Sequence, residues 1–382
     1  MPETTPRSIA HHFDSLDDPR RTRSVQHSLH DILVITLCAL ICGADSFTAI
    51  EEFARTKTTF LKRFLPLKGG IPSHDTIGRV FALLDPDHLA QCFADWMHGI
   101  AEATDGEVVA LDGKRLRRSY DRHSGRAIVE IVGAWASENN LLLGALEPKT
   151  NEIETLPRLI GMLDLKGCIF TIDAAGCQRT VVEALRAQQA HYVLALKGNQ
   201  GSLRDDVASL FERTRQQKPP QGASKVVDHG LSYAEETDAG HGRVEQRCCW
   251  ALAIEERGLV DAGAWPGMCT VVQLERRRWV GDSETVQRAY YVSSLRAEAS
   301  HLLRVIRQHW HVENRVHWVL DVAFGEDGSR VRSGHAAVNL GLVRRVAVSA
   351  LHRETSVKRG MATKRLKAAL DERYLLKVLK GL

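Results

Sequence analysis

Three carboxylates in this chain stand where an ordinary fold has little use for a charge. Asp112 follows Val108-Val109-Ala110-Leu111, and Asp173 follows Cys168-Ile169-Phe170-Thr171-Ile172, so each ends an apolar run. Glu313 lies within His309-Trp310-His311-Val312-Glu313-Asn314-Arg315-Val316-His317-Trp318-Val319-Leu320-Asp321. There Ile306, Trp310, Glu313, His317 and Leu320 recur at steps of three and four and so share one face of a helix. A buried, unpaired carboxylate is costly and must be neutralised, hydrogen-bonded or bound to a metal. For Glu313 alone the plain expectation is an ion pair with Arg307 or Arg315. Two aspartates at neighbouring strand ends alter that balance, because they raise one another's pKa unless a divalent cation lies between them. Mg²⁺ accepts one or two protein carboxylates and leaves room for phosphate and water. Two such ions, about 3.5–4 Å apart, can activate water and stabilise the leaving oxygen of a phosphodiester.

The elements that must position these acids follow from pattern. Residues 1 to about 100 read as helical, with helices at about 28–43, 46–64, 73–84 and 86–103. Ser73 caps the third, and Asp75 in its first turn suits the helix dipole. With His74, Thr76 and Arg79 outward, this short polar helix has the look of a helix-turn-helix unit; a plain packing domain explains it equally well. Strands are predicted at Glu107–Gly113, Ala127–Ser137 and Leu141–Leu146, with a tight turn at Glu138-Asn139-Asn140. A helix over Glu154–Leu163, a buried strand at Cys168–Asp173, a helix over Gln178–Gln188 and a strand at His191–Leu196 follow. The order β-β-β-α-β-α-β makes the first and fourth strands neighbours, and functional residues in open α/β sheets gather at strand carboxyl ends. A helix is expected over 199–217 and a break at Pro219-Pro220-Gln221-Gly222. A β-rich insertion at about 222–295 then carries strands near 224–227, 243–254, 268–278 and 286–293. Helices close the chain, including Ala336–Arg353 and a basic tail helix over Lys364–Lys380. The expected architecture is thus mixed α/β: a helical domain over 1–103, a catalytic domain over 104–350 with its β-rich insertion, and a tail over 351–382.

Composition narrows the class of partner. At 382 residues, 44% hydrophobic and 26% charged, the chain is an ordinary globular one. A net charge of +4 does not by itself announce nucleic acid. The local clusters Arg20-Arg21-Thr22-Arg23, Lys114-Arg115-Leu116-Arg117-Arg118, Arg276-Arg277-Arg278 and Lys364-Arg365-Leu366-Lys367 fit an anionic polymer better than a small acidic substrate. The eight cysteines form no CxxC pair and read as reduced thiols of a cytosolic protein. The N-terminus has no signal pattern, and the apolar run Ile32–Ala44 is too short to span a bilayer.

Several fragments, taken together and in order, resemble one family. They are Phe13-Asp14-Ser15-Leu16-Asp17-Asp18-Pro19-Arg20, Leu111-Asp112-Gly113-Lys114, Lys149-Thr150-Asn151-Glu152-Ile153, and Ile172-Asp173-Ala174 with Gly176-Cys177-Gln178. Tyr192 to Gln200, ending Leu196-Lys197-Gly198-Asn199-Gln200, joins them, as do Gly240-His241-Gly242-Arg243, Tyr290 to Leu295 and His309 through Asp327. The chain resembles the DDE transposases of insertion sequences, in the H repeat-associated group, on an RNase H-like fold. That resemblance implies Asp112, Asp173 and Glu313 as catalytic residues and as ligands of two Mg²⁺ or Mn²⁺ ions, with Asp112 bridging. It implies hydrolytic nicking at the element's ends, then attack of the freed 3′-OH on target DNA, with no covalent enzyme intermediate. The implied partners are double-stranded DNA, as terminal inverted repeats and target, and a second copy of the chain in the synaptic complex. No membrane is involved, and the implied place is the bacterial cytoplasm.

DNA contacts are expected from Lys114, Arg115, Lys197, Arg243, Trp279, His309, Asn314, Arg315 and His317. Trp279 is the candidate for stacking on a flipped base, with Trp250 and Trp265 as alternatives. One departure matters. Related transposases often carry Tyr, Arg and Lys seven before, four before and seven after the catalytic Glu; here Ile306, His309 and Leu320 stand there. Phosphate clamping then falls to His309, Arg315 or His317, and hairpin processing of the ends loses its usual residues. Glu326, Asp327 and Asp321 are further acids that compete for the third carboxylate position. Three other readings stay open: a metal-dependent nuclease or domesticated recombinase without strand transfer, a DNA-binding protein with a decayed site, and a zinc enzyme on His309, Glu313 and His317, which lacks an HExxH helix.

Overall fold

The apolar runs that end in Asp112 and Asp173 do form adjacent strands. The computed structural model describes residues 16–20, 25–100, 106–120, 127–216, 231–240, 242–254 and 264–380. Helices α1 (Leu29–Ile41), α2 (Phe47–Thr56), α3 (Thr58–Leu61), α4 (His74–Leu83) and α5 (Pro86–Ile100) come first. Strands β1 (Val108–Arg115), β2 (Glu130–Ala136) and β3 (Leu141–Leu146), helix α6 (Glu152–Gly161), β4 (Ile169–Ile172), α7 (Arg179–Ala187), β5 (His191–Leu196) and α8 (Gly201–Gln216) follow. Then come β6 (Leu231–Gly240), β7 (Arg243–Ala253), β8 (Thr270–Val280), β9 (Ser283–Ser293) and α9 (Ala299–His309). A π-wound turn (Glu313–His317), α10 (Trp318–Val322), α11 (Ala336–Arg353), α12 (Met361–Leu370) and α13 (Glu372–Lys380) complete the chain. The strand expected near 224–227, the break at Pro219–Gly222, Phe13-Asp14-Ser15 and His241 lie outside the described residues.

The chain divides into two compact units that are not consecutive in sequence, one of residues 1–102, 112–155 and 311–382, the other of 103–111 and 156–310. In the second unit β1, β4 and β5 run parallel, in register from Val108↔Ile169 to Leu111↔Ile172 and from Ile169↔His191 to Ile172↔Leu194. Buried on both faces, they are nearly continuous apolar runs, as parallel strands are. Beyond β5 the sheet continues antiparallel through β9, β8, β7 and β6. The β-rich insertion is therefore an extension of the same sheet, joined to β5 by β9. Helix α9 packs its apolar face, Leu302, Leu303, Val305 and Ile306, against Val108, Ile169, Val193 and the inner residues of β7 and β8. Strand β6 departs from expectation, because Leu231-Ser-Tyr-Ala-Glu-Glu-Thr-Asp-Ala-Gly240 is too polar to read as a strand. It pairs with β7 over its whole length as the sheet's last strand and is largely exposed at its far end, so pairing rather than local preference makes it a strand.

The other unit is built on two helices that are apolar nearly all round and consequently buried, α1 and α11. Ser28 caps α1 by accepting from Asp31 N at 3.0 Å, and Ser73 caps α4 by accepting from Thr76 N, as expected. Asn339 of α11 closes the other end of α4, donating to the Phe81 and Leu84 carbonyls at 2.8 Å each. The β2–β3 hairpin turns at Asn140 in a left-handed conformation, and Leu142 N donates to Ser349 Oγ.

Two expectations need correction here. The tail is not one helix but two, parted at Asp371, whose carboxylate accepts from Arg373 N and Tyr374 N and so starts a new helix. Nor does its basic cluster, expected to suit an anionic polymer, keep all its charge at the surface. Lys364 and Arg365 are buried; Lys364 donates to the Leu351 and Glu354 carbonyls at the end of α11, and Arg365 to Leu40 at the end of α1. Cations at helix carboxyl ends satisfy carbonyls that no backbone N–H can reach.

Candidate active site

Glu313 does not sit on a buried helical face. Helix α9 stops at His309, the chain turns at Trp310, and residues 313–317 wind as a π turn. Each residue of such a turn advances less than in an α-helix, so the three-and-four spacing no longer aligns. Ile306, His317 and Leu320 are buried, whereas Trp310 is 53% exposed and Glu313 faces solvent. Neither expected arginine pairs with Glu313. Arg307 binds Glu236 and Asp238, and Arg315 donates to Asn140 Oδ1 and the Ser137 carbonyl, pinning the hairpin turn. His317 is the partner instead, with Nδ1 at 3.1 Å from Glu313 Oε2 and 3.5 Å from Asp112 Oδ2.

Asp112, Glu313 and His317 each bring one ligand atom, all within 4.8 Å of one another. Two carboxylates facing a ring nitrogen form a donor set that suits a divalent cation. The rival acids are already neutralised. Lys114 Nζ, buried, lies 2.7 Å from Asp321 Oδ1 and 3.8 Å from Asp327 Oδ1. Glu326 is buried against Arg345 at 3.1 Å and Arg344 at 4.0 Å. Two further acids escape the sequence reading. A Cβ at Gly113 would stand 3.2 Å from Glu152 Oε1 and 3.3 Å from Glu130 Oε1, so both carboxylates reach the backbone beside Asp112.

In the other unit, Asp173 follows the last paired residue of β4, and its Oδ1 accepts from Ala175 N at 2.9 Å and Gly176 N at 3.4 Å. A Cβ at Gly176 would lie 2.2 Å from Ile172 Cγ2, which explains the glycine. Asn199 and Gln200 donate to the Ala174 and Cys177 carbonyls, so the Lys197-Gly198-Asn199-Gln200 segment braces this loop. The paired register ends at Leu111↔Ile172; Asp112 continues β1, and Asp173 is the first residue after β4.

Several residues expected on DNA are engaged elsewhere. Lys114 holds acids, and Arg315 holds a turn. His309 Nδ1 lies 3.0 Å from Thr171 Oγ1; burial pushes its pKa below the usual imidazole range, against the pull of Asp173, and leaves it neutral. His317 is buried between carboxylates. Arg115 is exposed beside Glu130, and Lys197, Arg243 and Asn314 are also exposed. Trp279 is half-buried on β8; Trp250 stacks near Tyr233, and Trp265 is core. All eight cysteines are free, and among the described residues no helix is long and apolar enough to cross a membrane.

The transposase DDE domain matches residues 103–348, and a DDE_Tnp_1-associated segment matches residues 10–97. The H repeat-associated putative transposase YhhI of Escherichia coli K12 is 35% identical over 385 residues, 98% of this chain and 98% of its own length. A protein encoded in the dhlA 3′ region of Xanthobacter autotrophicus is 41% identical over 290 residues, 75% of this chain and 94% of its own. The solved piggyBac transposase synaptic complex with hairpin DNA aligns with 94% of this chain and 75% of that chain at 10% identity and TM-score 0.43. On the domain match and the full-length relative, the chain belongs to the DDE-type insertion-sequence transposases, in their H repeat-associated group.

Proposed function

We propose that this transposase cleaves phosphodiester bonds at the ends of its insertion sequence and transfers the freed 3′-OH to target DNA. Asp112, Asp173 and Glu313 are the carboxylate set, and Mg²⁺ or Mn²⁺, as two ions, is the cofactor. The observation that carries this reading is the Asp112–Glu313–His317 cluster, while Lys114 and Arg345 neutralise the neighbouring acids. A bound divalent cation would supply Lewis-acid stabilisation of the developing charge and a more acidic water. In nicking, a water oxygen bonds to phosphorus and the O3′–P bond breaks; one water proton goes to the departing O3′ to give the 3′-OH and the other passes to solvent, leaving a 5′-phosphate. In transfer, the oxygen of that 3′-OH bonds to a target phosphorus, the target's own O3′–P bond breaks, and the hydroxyl proton ends on the displaced O3′. Asp112 and Asp173, following paired residues of parallel strands, hold their carboxylates on rigid backbone. Glu313 is steadied by His317, whose ring also faces Asp112. Contacts to DNA fall to the exposed Arg115, Lys197, Arg243 and Asn314, with Trp279 for an unstacked base, and the working form is a homodimer on two element ends. Residues 1–103 serve end binding, 104–350 catalysis, and 351–382 form the tail.

The test uses purified protein, Mg²⁺ and labelled duplexes carrying the parent element's ends. Wild type is expected to give 3′-OH nicks and joined products, and Asp112→Asn, Asp173→Asn or Glu313→Gln to lose at least about 100-fold. Cleavage undiminished in Asp112→Asn overturns the assignment. Binding to those ends without cation-dependent cleavage establishes a decayed site instead.

A further inference from the structure

A second site, away from the carboxylates, lies in the same unit as α4. A groove of about 940 Å³ runs between the first turns of α2 and α4 and the segment 324–336. Two helix N-termini border it, α2 through Ser46 and Thr48 and α4 through His74 and Asp75, and the His74 N–H and ring already meet the Glu51 carboxylate. Such ends carry a partial positive charge and favour anions. Four arginines line it: Arg79, Arg330, Arg332 and Arg344. Of the lining acids, Asp45 is bound by Arg365 at 2.5 Å and Asp75 is exposed at the edge. The excess is positive.

Arg344 supplies an independent sign. It is 1% exposed, its Nη2 donates to the Asp45 carbonyl, and its Nε has no hydrogen-bond partner. A buried guanidinium with an unmet donor is costly, and burial lowers its pKa despite Glu326 and Asp45 nearby. The wall opposite α4 is fixed. Gly334, with φ at +48°, lies so close to α4 that a Cβ would come within 2.3 Å of the Ala82 carbonyl oxygen, and His335 N donates to that same carbonyl. Arg332 is held by the Arg118 carbonyl and the Tyr120 ring. Arg330 faces solvent and pairs with no carboxylate among the described residues, and Arg79 uses only Nε locally, on the Asp75 carbonyl.

We propose that this groove binds the sugar-phosphate backbone of duplex DNA, with Arg79 and Arg330 as phosphate contacts and Arg344 beneath them. The site rests on the reading that the chain acts on DNA, and adds where the helical portion grips it. At about 940 Å³ the groove is larger than a single small anion needs, and Phe47, Gly78 and Phe324 in its lining offer apolar surface to deoxyribose. Backbone contacts of this kind position a duplex without reading its sequence.

The test is a salt titration of binding in EDTA, with fluorescent duplexes of the element's end and of unrelated sequence. Removing one phosphate-binding cation lowers the slope of log K against log [salt] by about 0.9, so Arg79→Ala/Arg330→Ala should lower it by about 1.8 on both duplexes. Both side chains are exposed, so an unchanged circular dichroism melt is expected and is checked alongside. A slope equal to wild type overturns the groove. Failure of the groove leaves the cleavage reading standing, and failure of cleavage leaves a lowered slope intact.

Discussion

Lys114 offers the sharpest test of how this site is built, because sequence and structure give it different work. Its Nζ lies 2.7 Å from Asp321 Oδ1 and 3.8 Å from Asp327 Oδ1, and its side chain is 8% exposed. Lys114→Met keeps the length and apolar stem but leaves Asp321 without its cation, while Asp327 keeps Arg117 at 3.1 Å. Removing one partner of a fully buried pair costs about 3–5 kcal/mol. The two acids keep 31% and 24% of their side-chain surface, so water screens part of that penalty. The lower bound, about 3 kcal/mol, is the appropriate figure, equivalent to roughly 4 °C in melting temperature at about 2.1 cal/mol/K of unfolding entropy per residue. The assay is a thermal melt of wild type, Lys114→Met, Asp321→Asn and the double variant. A coupling above about 1 kcal/mol between the two positions is expected. The salt dependence of DNA binding should stay at the wild-type slope. A melting temperature within about 1 °C of wild type refutes the buried pair. A slope lowered by about 0.9 would make Lys114 a phosphate contact after all.

Two further outcomes follow from the same geometry. Gly176→Ala puts a methyl 2.2 Å from Ile172 Cγ2, directly behind Asp173, and should cost about 1–3 kcal/mol in a urea melt together with cleavage activity; an unchanged midpoint contradicts the close approach. Burial holds the pKa of His309 below its ordinary value, and burial does the same for His352 despite its bond to the Arg315 carbonyl. The unfolded chain therefore takes up more protons, so stability is full above pH about 6.5 and falls as pH drops below it. Urea midpoints from pH about 8 to about 5.5 should decline below that point, and less steeply in His309→Asn/His352→Asn; a flat or rising wild-type midpoint refutes the assignment.

Much of the fold was legible because local chemistry decides it. Val108–Leu111 and Ile169–Ile172 are largely β-branched and apolar, so they become buried parallel strands, and Asp112 and Asp173 each follow a last paired residue, Leu111 and Ile172. Ala336–Arg353 is a helix with the expected ends, and Ser73 caps where a serine before His74-Asp75 should. Strand β6 was illegible since its polar residues gain order only from β7. The π turn was equally hidden, because the residues 313–317 carry an ordinary helical pattern and the extra residue per turn leaves no mark on it.

The division runs through the site itself. Residue type and order along the chain established that two carboxylates end rigid strands, that a third follows in a helical stretch, and that the family is one of DDE transposases. Which charges remain available was decided only in three dimensions. Lys114 meets Asp321 and Lys364 meets the end of α11, so cations that look like a DNA-binding surface are spent inside the protein. Arg307 and Arg315 are drawn away from Glu313, and a histidine four residues on takes their place. Coulomb attraction and desolvation act through space, between residues as far apart as Lys114 and Asp321, and no local pattern of sequence records such a pairing.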